Sequence, residues 1–408
     1  MTPLQHGLPV AADHGEAMAA ITKVVHSTPV WLRQTQTWIH TQVDCTPSNR
    51  IESHVVCERV INLDQFPVQH LHRFAEAPTL ERLYDRSLRR LGLRRHLGYL
   101  ARVARQVGAG VIHSHFGDVG WADSGAAAAA DTRHVVTFYG YDMSFLPTQR
   151  LWRDRFEELF GNVDLVLCEG PHMARCIVDI GCPEHKIRVH HLGVRLDRLP
   201  FRPRQWRPDE PLRVLIAATF TEKKGIPYAL EALGKLRGHA DLDITIIGDA
   251  QENDESRAEK ARILATIDKH GLSRQVRMLG YRPHASMLRE AYQHHLFLAP
   301  SVTSRDGATE GGAPVSLIEM AATGMFVVSS RHCDIPEVIL DGRTGFLAAE
   351  RDVDGLVDCL LRAVRQPQSW REFLNRGRAH IESEFSAIVQ GERLADIYES
   401  VPQRKPHD

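Results

Sequence analysis

No stretch of about eighteen consecutive apolar residues, the length a membrane-crossing helix needs, occurs in the sequence. The first twenty residues lack a basic start followed by an apolar run, so a loose tail is expected there rather than a secretion signal. CxxC spacing is also missing. The seven cysteines are scattered and odd in number, which argues against a disulfide framework or a zinc ribbon and for free thiols in a reducing compartment. A cytoplasmic protein is the expectation. Charge of one sign is not in excess: 50 basic and 51 acidic residues leave a net charge of −1. There is no global field to gather nucleic acid. A GxGxxG after the first strand and a Walker P-loop are both absent.

What is present is a chain of 408 residues, 43% hydrophobic and 25% charged, the balance of a globular protein with room for two domains. Short apolar runs, each followed by a helical stretch, recur along it. In the first half they are Ile21–His26, His54–Val60, Gly110–His115, His134–Phe138, Val163–Cys168 and Ile187–His190. In the second they are Leu212–Ala218, Asp243–Gly248, Val276–Gly280, His295–Pro300, Met325–Ser330 and Gly345–Ala349. Runs such as VLIAA and FVVSS are apolar on both faces, as strands covered by helices on both sides must be. Alternating β and α elements predict parallel, doubly wound sheets. Four prolines between Leu199 and Leu212 break the alternation and predict a linker. The expected parts are therefore a tail (1–20), two Rossmann-like domains (21–198 and 212–380) facing across a cleft, and a Pro-rich linker (199–211). The end of the chain (381–408) reads as one more amphipathic helix.

The stretch Ala299–Gly324, APSVTSRDGATEGGAPVSLIEMAATG, carries the clearest chemistry. A strand ends, a polar loop follows, Gly311 and Gly312 allow close approach of a ligand, and a helix opens near Pro314. That opening offers unpaired N–H groups and a positive dipole end to a diphosphate. Glu310 and Glu319 are nine positions apart, so on one helix they would face opposite ways at about 100° per residue. They converge only with Glu310 in the loop and Glu319 in the helix's second turn. Ionised carboxylates there suit vicinal hydroxyls. An ordinary helix start with a solvated acid is the other reading. Lys223 and Lys224, in TEKKG between a strand and a helix, offer ammonium groups to a phosphate, or form a solvated loop.

The same stretch, continued through MFVVSSRHCDIPEVILDGRTGFLAAERD, is similar to the signature of family 4 retaining glycosyltransferases. The resemblance is strongest to the branch that builds bacterial exopolysaccharides such as colanic acid and amylovoran. TQTWIHTQV (35–43), VIHSHFG (111–117), HVVTFYGYDMS (134–144), GCPEHKIRVHHLGV (181–194) and TEKKG (221–225) extend it in order, from about residue 21 to 400. It implies a GT-B fold with the acceptor on the first domain, the nucleotide sugar on the second, and a last helix crossing back to the first. It implies that Glu319 holds the ribose and Glu310 the donor sugar's hydroxyls. Gly311, Gly312 and Ala313 would present backbone donors, and Lys224 would neutralise the diphosphate. Gln36 and Thr37 would help form the acceptor wall. Tyr139 and Asp142 are expected at the cleft edge as catalytic residues beside Lys224 and Glu310, with Tyr139 able to hydrogen-bond a sugar hydroxyl, though Asp142 can equally cap a turn at Gly140.

Three departures stand out. The loop between the two glutamates is one residue longer than usual. Thr219 stands where an arginine is common, leaving Lys223 or Arg305 to supply that charge. Tyr139 replaces a histidine. The implied activity is retaining, metal-independent transfer of a hexose-type sugar from a nucleoside-diphosphate sugar to a glycan, lipid-linked or small-molecule hydroxyl, with no cofactor and no nucleic-acid partner. A nucleotide-sugar epimerase of the same fold and a non-catalytic nucleotide-sugar binder remain open. Asp241-Leu-Asp243 and Asp352-Val-Asp354 are not at strand ends, and His113 and His115 have no partner at metal-ligand spacing, so no metal site is expected. From Leu80 to Val107 eight arginines face two acids, with Leu80, Leu83, Tyr84, Leu88 and Leu91 forming a stripe. That segment reads either as a solvated helix face or as a contact with anionic lipid.

Overall fold

The computed structural model describes residues 21–33 and 36–401. The expected N-terminal tail, Thr35 of the TQTWI block and residues 402–408 lie outside the described residues.

The first sheet contains β1 (Thr22–Ser27), β3 (Ile51–Cys57), β5 (His70–Arg73), β6 (Val111–His115), β7 (Arg133–Thr137), β8 (Leu165–Cys168) and β9 (Ile187–Val189). A small separate pair joins β2 (Val30–Trp31) to β4 (Arg59–Val60). The second sheet contains β10 (Leu212–Ala217), β11 (Leu242–Ile247), β12 (Val276–Gly280), β13 (Leu296–Ala299), β14 (Phe326–Ser330) and β15 (Phe346–Ala348). The orders are β5-β3-β1-β6-β7-β8-β9 and β12-β11-β10-β13-β14-β15. All the neighbouring strands run parallel.

The apolar runs explain both sheets. On β10, Leu212, Val214 and Ile216 join one buried cluster while Leu215 joins another on the opposite face. The Ile226–Leu236 helix covers the first cluster with Ile226, Leu230, Leu233 and Leu236, each worth about 1.5–3 kcal/mol when fully buried. Gly225 precedes that helix at φ +65°, and a Cβ there would meet the Pro300 carbonyl oxygen at 1.9 Å. Only glycine allows the two strand-end loops to touch at this point.

The proline-rich segment is no free tether. The N–H groups of Arg202 and Arg204 bond the carbonyls of Thr323 and Gly324, and Trp206 is buried in the second sheet's core. The return of the chain falls later than residue 381, because Ile381 and Phe385 still pack with the second half. Crossing occurs at Ser386, which bridges Val194. Beyond it the Ala387–Ser400 helix buries Leu394, Ala395 and Tyr398 against β1, β6, β7 and β8. Arg50 fastens the outer side of that helix through Glu392, Asp396 and Glu399. Among the described residues, no helix is long and apolar enough to cross a membrane.

Candidate active site

In an open parallel sheet, ligands bind outside the carboxyl ends of strands where the strand order reverses. In the second sheet that point lies between β10 and β13. The loop with Lys223 and Lys224 leaves β10, and the loop with Glu310 leaves β13. The two loops meet. Lys224 Nζ donates to Glu310 Oε2 at 2.8 Å, and Ser301 Oγ donates to Glu310 Oε1 at 2.7 Å. Lys223 Nζ donates to the Thr309 carbonyl at 2.7 Å and lies 3.9 Å from Glu310. Burial pushes the Glu310 carboxyl up, but the two ammonium groups outweigh it and hold the group down at about 2. Burial lowers the Lys223 ammonium, with Glu310 opposing.

Glu319 lies in the second turn of the Val315–Ala322 helix, as the loop-and-helix reading requires. Both of its oxygens reach His284 Nε2, at 2.9 and 3.0 Å. That bond raises the His284 imidazole above its ordinary value. Behind Glu310, its N–H donates to His332 Nε2 at 3.0 Å, and His332 Nδ1 pairs with Glu350 at 2.7 Å. Glu350 also accepts the Thr303 N–H at 2.7 Å. The sequence reading missed Ser301, His284, His332 and Glu350. His332 and Glu350 follow β14 and β15, so position at a strand's carboxyl end was the signal available for them.

Contact with the first half is made through glycines. Gly311 has φ +82°, and a Cβ there would meet Gly140 Cα at 2.3 Å; one on Gly140 would meet the Glu310 carbonyl oxygen at 2.5 Å. A Cβ on Gly312 would meet a carboxylate oxygen of Glu169 at 1.9 Å. Burial, then Asp334, Asp142 and Glu310, push the Glu169 carboxyl well above its ordinary value. Asp334 reaches across from the second half and accepts the N–H groups of His172 and Met173, at 2.7 and 3.3 Å. It thereby caps the Pro171–Asp179 helix of the first half. Neither Glu169 nor Asp334 was singled out from sequence, because their significance depends on the apposition of two domains.

Two residues expected at the cleft edge flank Gly140 there but turn their side chains inward. Tyr139 is buried, and its hydroxyl is occupied by Gln42 at 3.2 Å and His115 Nδ1 at 2.8 Å. It is corrected from a sugar contact to a packing residue. Asp142 is fully buried and accepts the N–H groups of Tyr139 (2.8 Å) and Gly117 (2.7 Å). The capping alternative is the one realised. Burial raises its carboxyl to about 8. Thr219 lies in the turn after β10, its carbonyl accepting the Thr221 N–H. Arg305 is exposed and pairs with Glu222 at 3.5 Å rather than joining Glu310. Ala313 packs against the second sheet's core. Gln36 stands just before the Thr37–Asp44 helix without a side-chain bond to it, and Thr37 begins that helix, which presents Ile39 to the cluster that also receives Tyr139 and Val315.

The expectation that His113 and His115 lack a third partner is also corrected. His26 is 89 positions before His115, yet its Nδ1 is 3.1 Å from His115 Nε2, and ligand atoms of His26, His113 and His115 lie within 4.8 Å of one another. These nitrogens are largely committed: His113 to Tyr398 and Thr137, and His115 to His26 and Tyr139. An ion there would have to displace those bonds. The cluster is a buried polar network that anchors the returning helix. Asp241 precedes β11, while Asp352 follows β15 by four residues and caps the Val353–Arg365 helix by accepting the Gly355 N–H.

Residues 35–198 match the model of the family described as Glycosyltransferase Family 4. Residues 197–380 match that described as Glycosyl transferases group 1. The amylovoran biosynthesis glycosyltransferase AmsK of Erwinia amylovora is 31% identical over 268 residues, 65% of this chain and 64% of AmsK. The match thus spans a little less than two thirds of AmsK's own length. The putative colanic acid biosynthesis glycosyltransferase WcaL of Salmonella typhimurium is 28% identical over 305 residues, 74% of this chain and 73% of WcaL. The crystal structure of Anabaena Alr3699/HepE in complex with UDP and glucose superposes with a TM-score of 0.73 at 15% identity, covering 93% of this chain and 100% of that one. The fold is GT-B, and with two family models meeting at the linker, the chain belongs to the family 4 glycosyltransferases.

Proposed function

We propose that this protein moves a hexose-type sugar from a nucleoside-diphosphate donor to a hydroxyl of a growing bacterial exopolysaccharide or its lipid-linked precursor, on the cytoplasmic side, with retention and without a metal. The observation that carries the reading is the meeting of Lys224 and Glu310 at the switch point, in a loop that leads into the Val315–Ala322 helix. The names of AmsK and WcaL support the polymer class, and the UDP and glucose bound by HepE support the donor class.

The pairing of Lys224 with Glu310 suggests how a donor is received. A diphosphate competes for the ammonium and for the unpaired N–H groups of the helix. Sugar hydroxyls compete for the carboxylate that Lys224 leaves. Each partner exchanges one charged bond for another, so neither is left buried and unpaired. Glu319 takes the ribose hydroxyls beside His284. As the glycosidic bond breaks, negative charge grows on the departing diphosphate, and Lys224 with the helix opening stabilises it. The acceptor hydroxyl then bonds the anomeric carbon from the face the diphosphate leaves, and its proton passes to the departing phosphate oxygen. Contact of Gly311 and Gly312 with Gly140 and Glu169 keeps water, a competing acceptor, from the reacting carbon.

The test is transfer from labelled UDP- and GDP-sugars to a lipid-linked saccharide, with product anomers assigned by NMR. Retained configuration and full activity after exhaustive EDTA treatment are expected. Inverted product, or activity restored by Mg²⁺ or Mn²⁺ after chelation, overturns the mechanism. Donor consumption that is indifferent to acceptor favours the epimerase.

A further inference from the structure

The Thr79–Arg90 helix is mounted inside out. Its single buried residue is Asp85, which pairs with Arg94 and accepts the Gly98 N–H at 3.1 Å. Charged side chains hold most of the rest of its inward side, with Leu88 half-buried beside them. Glu81 meets Arg102 at 2.8 Å, and Arg89 meets Glu58 at 3.0 Å. The other large apolar side chains point outward. Leu80 is 81% exposed, Leu83 55% and Tyr84 63%, and the turn that follows adds Leu91 at 70% and Leu93 at 72%. At about 100° per residue, positions 80, 83, 84, 87 and 91 share one face. An amphipathic helix normally buries that face against its own protein. Here ion pairs hold the polar side down and leave the apolar side unpartnered.

Charge decides between candidate occupants. Both acids of the helix, Glu81 and Asp85, are turned inward and neutralised. Arg86 and Arg90 lie beside the outward leucines, exposed, and neither forms an ion pair among the described residues. A second copy docked face to face would set this cationic rim against itself. A surface that is apolar within and anionic at its boundary complements it. Leucines facing out, arginines flanking them and a tyrosine at the margin match a helix lying in the plane of a bilayer interface.

We propose that the Thr79–Leu93 segment docks on a membrane surface rich in anionic lipid. Arg89, Arg95, His96, Glu58 and Asp123 also line one pocket of the first half. The inference does not rest on the donor chemistry above.

The experiment is co-sedimentation of the full chain with phosphatidylcholine vesicles that contain or lack about a third phosphatidylglycerol. Binding only to the anionic vesicles is expected, weakened by high salt. Leu83→Glu/Leu91→Glu and Arg86→Glu/Arg90→Glu should each reduce it by about tenfold or more. These side chains are exposed, so melting temperatures should stay unchanged, and donor binding in vesicle-free solution should too. Equal binding to both vesicle types overturns the proposal, as does full binding by the leucine variant. Dimerisation in sedimentation velocity that the leucine variant abolishes overturns it in favour of a second copy.

Discussion

Two loops of this protein are written in nearly the same local code and end in opposite situations. After β7 comes Phe138-Tyr139-Gly140-Tyr141-Asp142, and after β13 comes a longer loop ending Glu310-Gly311-Gly312. Each joins a parallel strand to a helix, each contains glycine and an acid, and the two touch through Gly140 and Gly311. Asp142 turns back on its own backbone and is consumed by the Tyr139 and Gly117 N–H groups. Glu310 faces side chains that can exchange partners: Lys224, Lys223 and Ser301. An acid facing movable cations can serve a ligand. One that satisfies backbone donors serves the fold, because releasing it strands two buried N–H groups.

The largest expected effect tests the cationic side. Lys224→Ala should lower kcat by roughly a hundredfold or more, the scale of one lost transition-state electrostatic partner. Lys223→Ala should do less, since its ammonium bonds the Thr309 carbonyl and lies farther from Glu310. Steady-state kinetics with saturating acceptor separates the two. A larger loss for Lys223→Ala would move the diphosphate to the other ammonium.

Next comes Glu319→Ala, which should weaken nucleotide-sugar binding by about 1.5–3 kcal/mol, the worth of a charged hydrogen bond, with the melting temperature little changed. Unchanged affinity in calorimetry would remove Glu319 from the site and return its bond with His284 to surface structure.

Asp142→Ala should show the reverse pattern. Folding stability should fall by about 1–3 kcal/mol through two stranded N–H groups, read by chemical denaturation, while donor affinity stays the same. Lost affinity at unchanged stability would erase the contrast between the loops.

A last comparison is read from pH. Glu310 is held at about 2 against an ordinary 4.5. Its contribution to stability is complete above about 4.5 and is lost as pH falls through about 2. Asp142 is raised from 3.8 to about 8. The folded protein therefore keeps a proton the unfolded chain has given up, and stability declines as pH rises through that window. Denaturation midpoints across pH should lose this decline in Asp142→Asn and flatten on the acid side in Glu310→Gln. Identical profiles for both variants and the parent would show that neither carboxyl is shifted.

Much of the donor side was legible because it is local. The strand ending at Ala299, the paired glycines, the helix opening after Pro314 and Glu319 in its second turn are set by neighbours within a few residues. Less of the acceptor side was legible. Tyr139 looked available from its place after β7, and nothing local announced that Gln42 and His115 would occupy its hydroxyl. His113 and His115 looked unpartnered because His26 is distant in sequence.

Periodicity and composition by themselves determined two parallel sheets, since runs apolar on both faces are stable only when helices cover both sides. They also determined the glycine-rich turn with its acids, and an apolar-and-arginine stretch from Leu80 to Val107, which the structure divides into the Thr79–Arg90 and Gly98–Val107 helices. Tertiary structure decided which acids remain exchangeable, which histidines meet, and which way that helix faces. The reason is physical. A side chain's charge state and availability depend on whatever the fold brings within a few ångströms. For Glu310 that is a lysine 86 positions earlier, for Asp334 a helix 162 positions earlier, and for Asp85 an arginine that holds the wrong face of its helix inward.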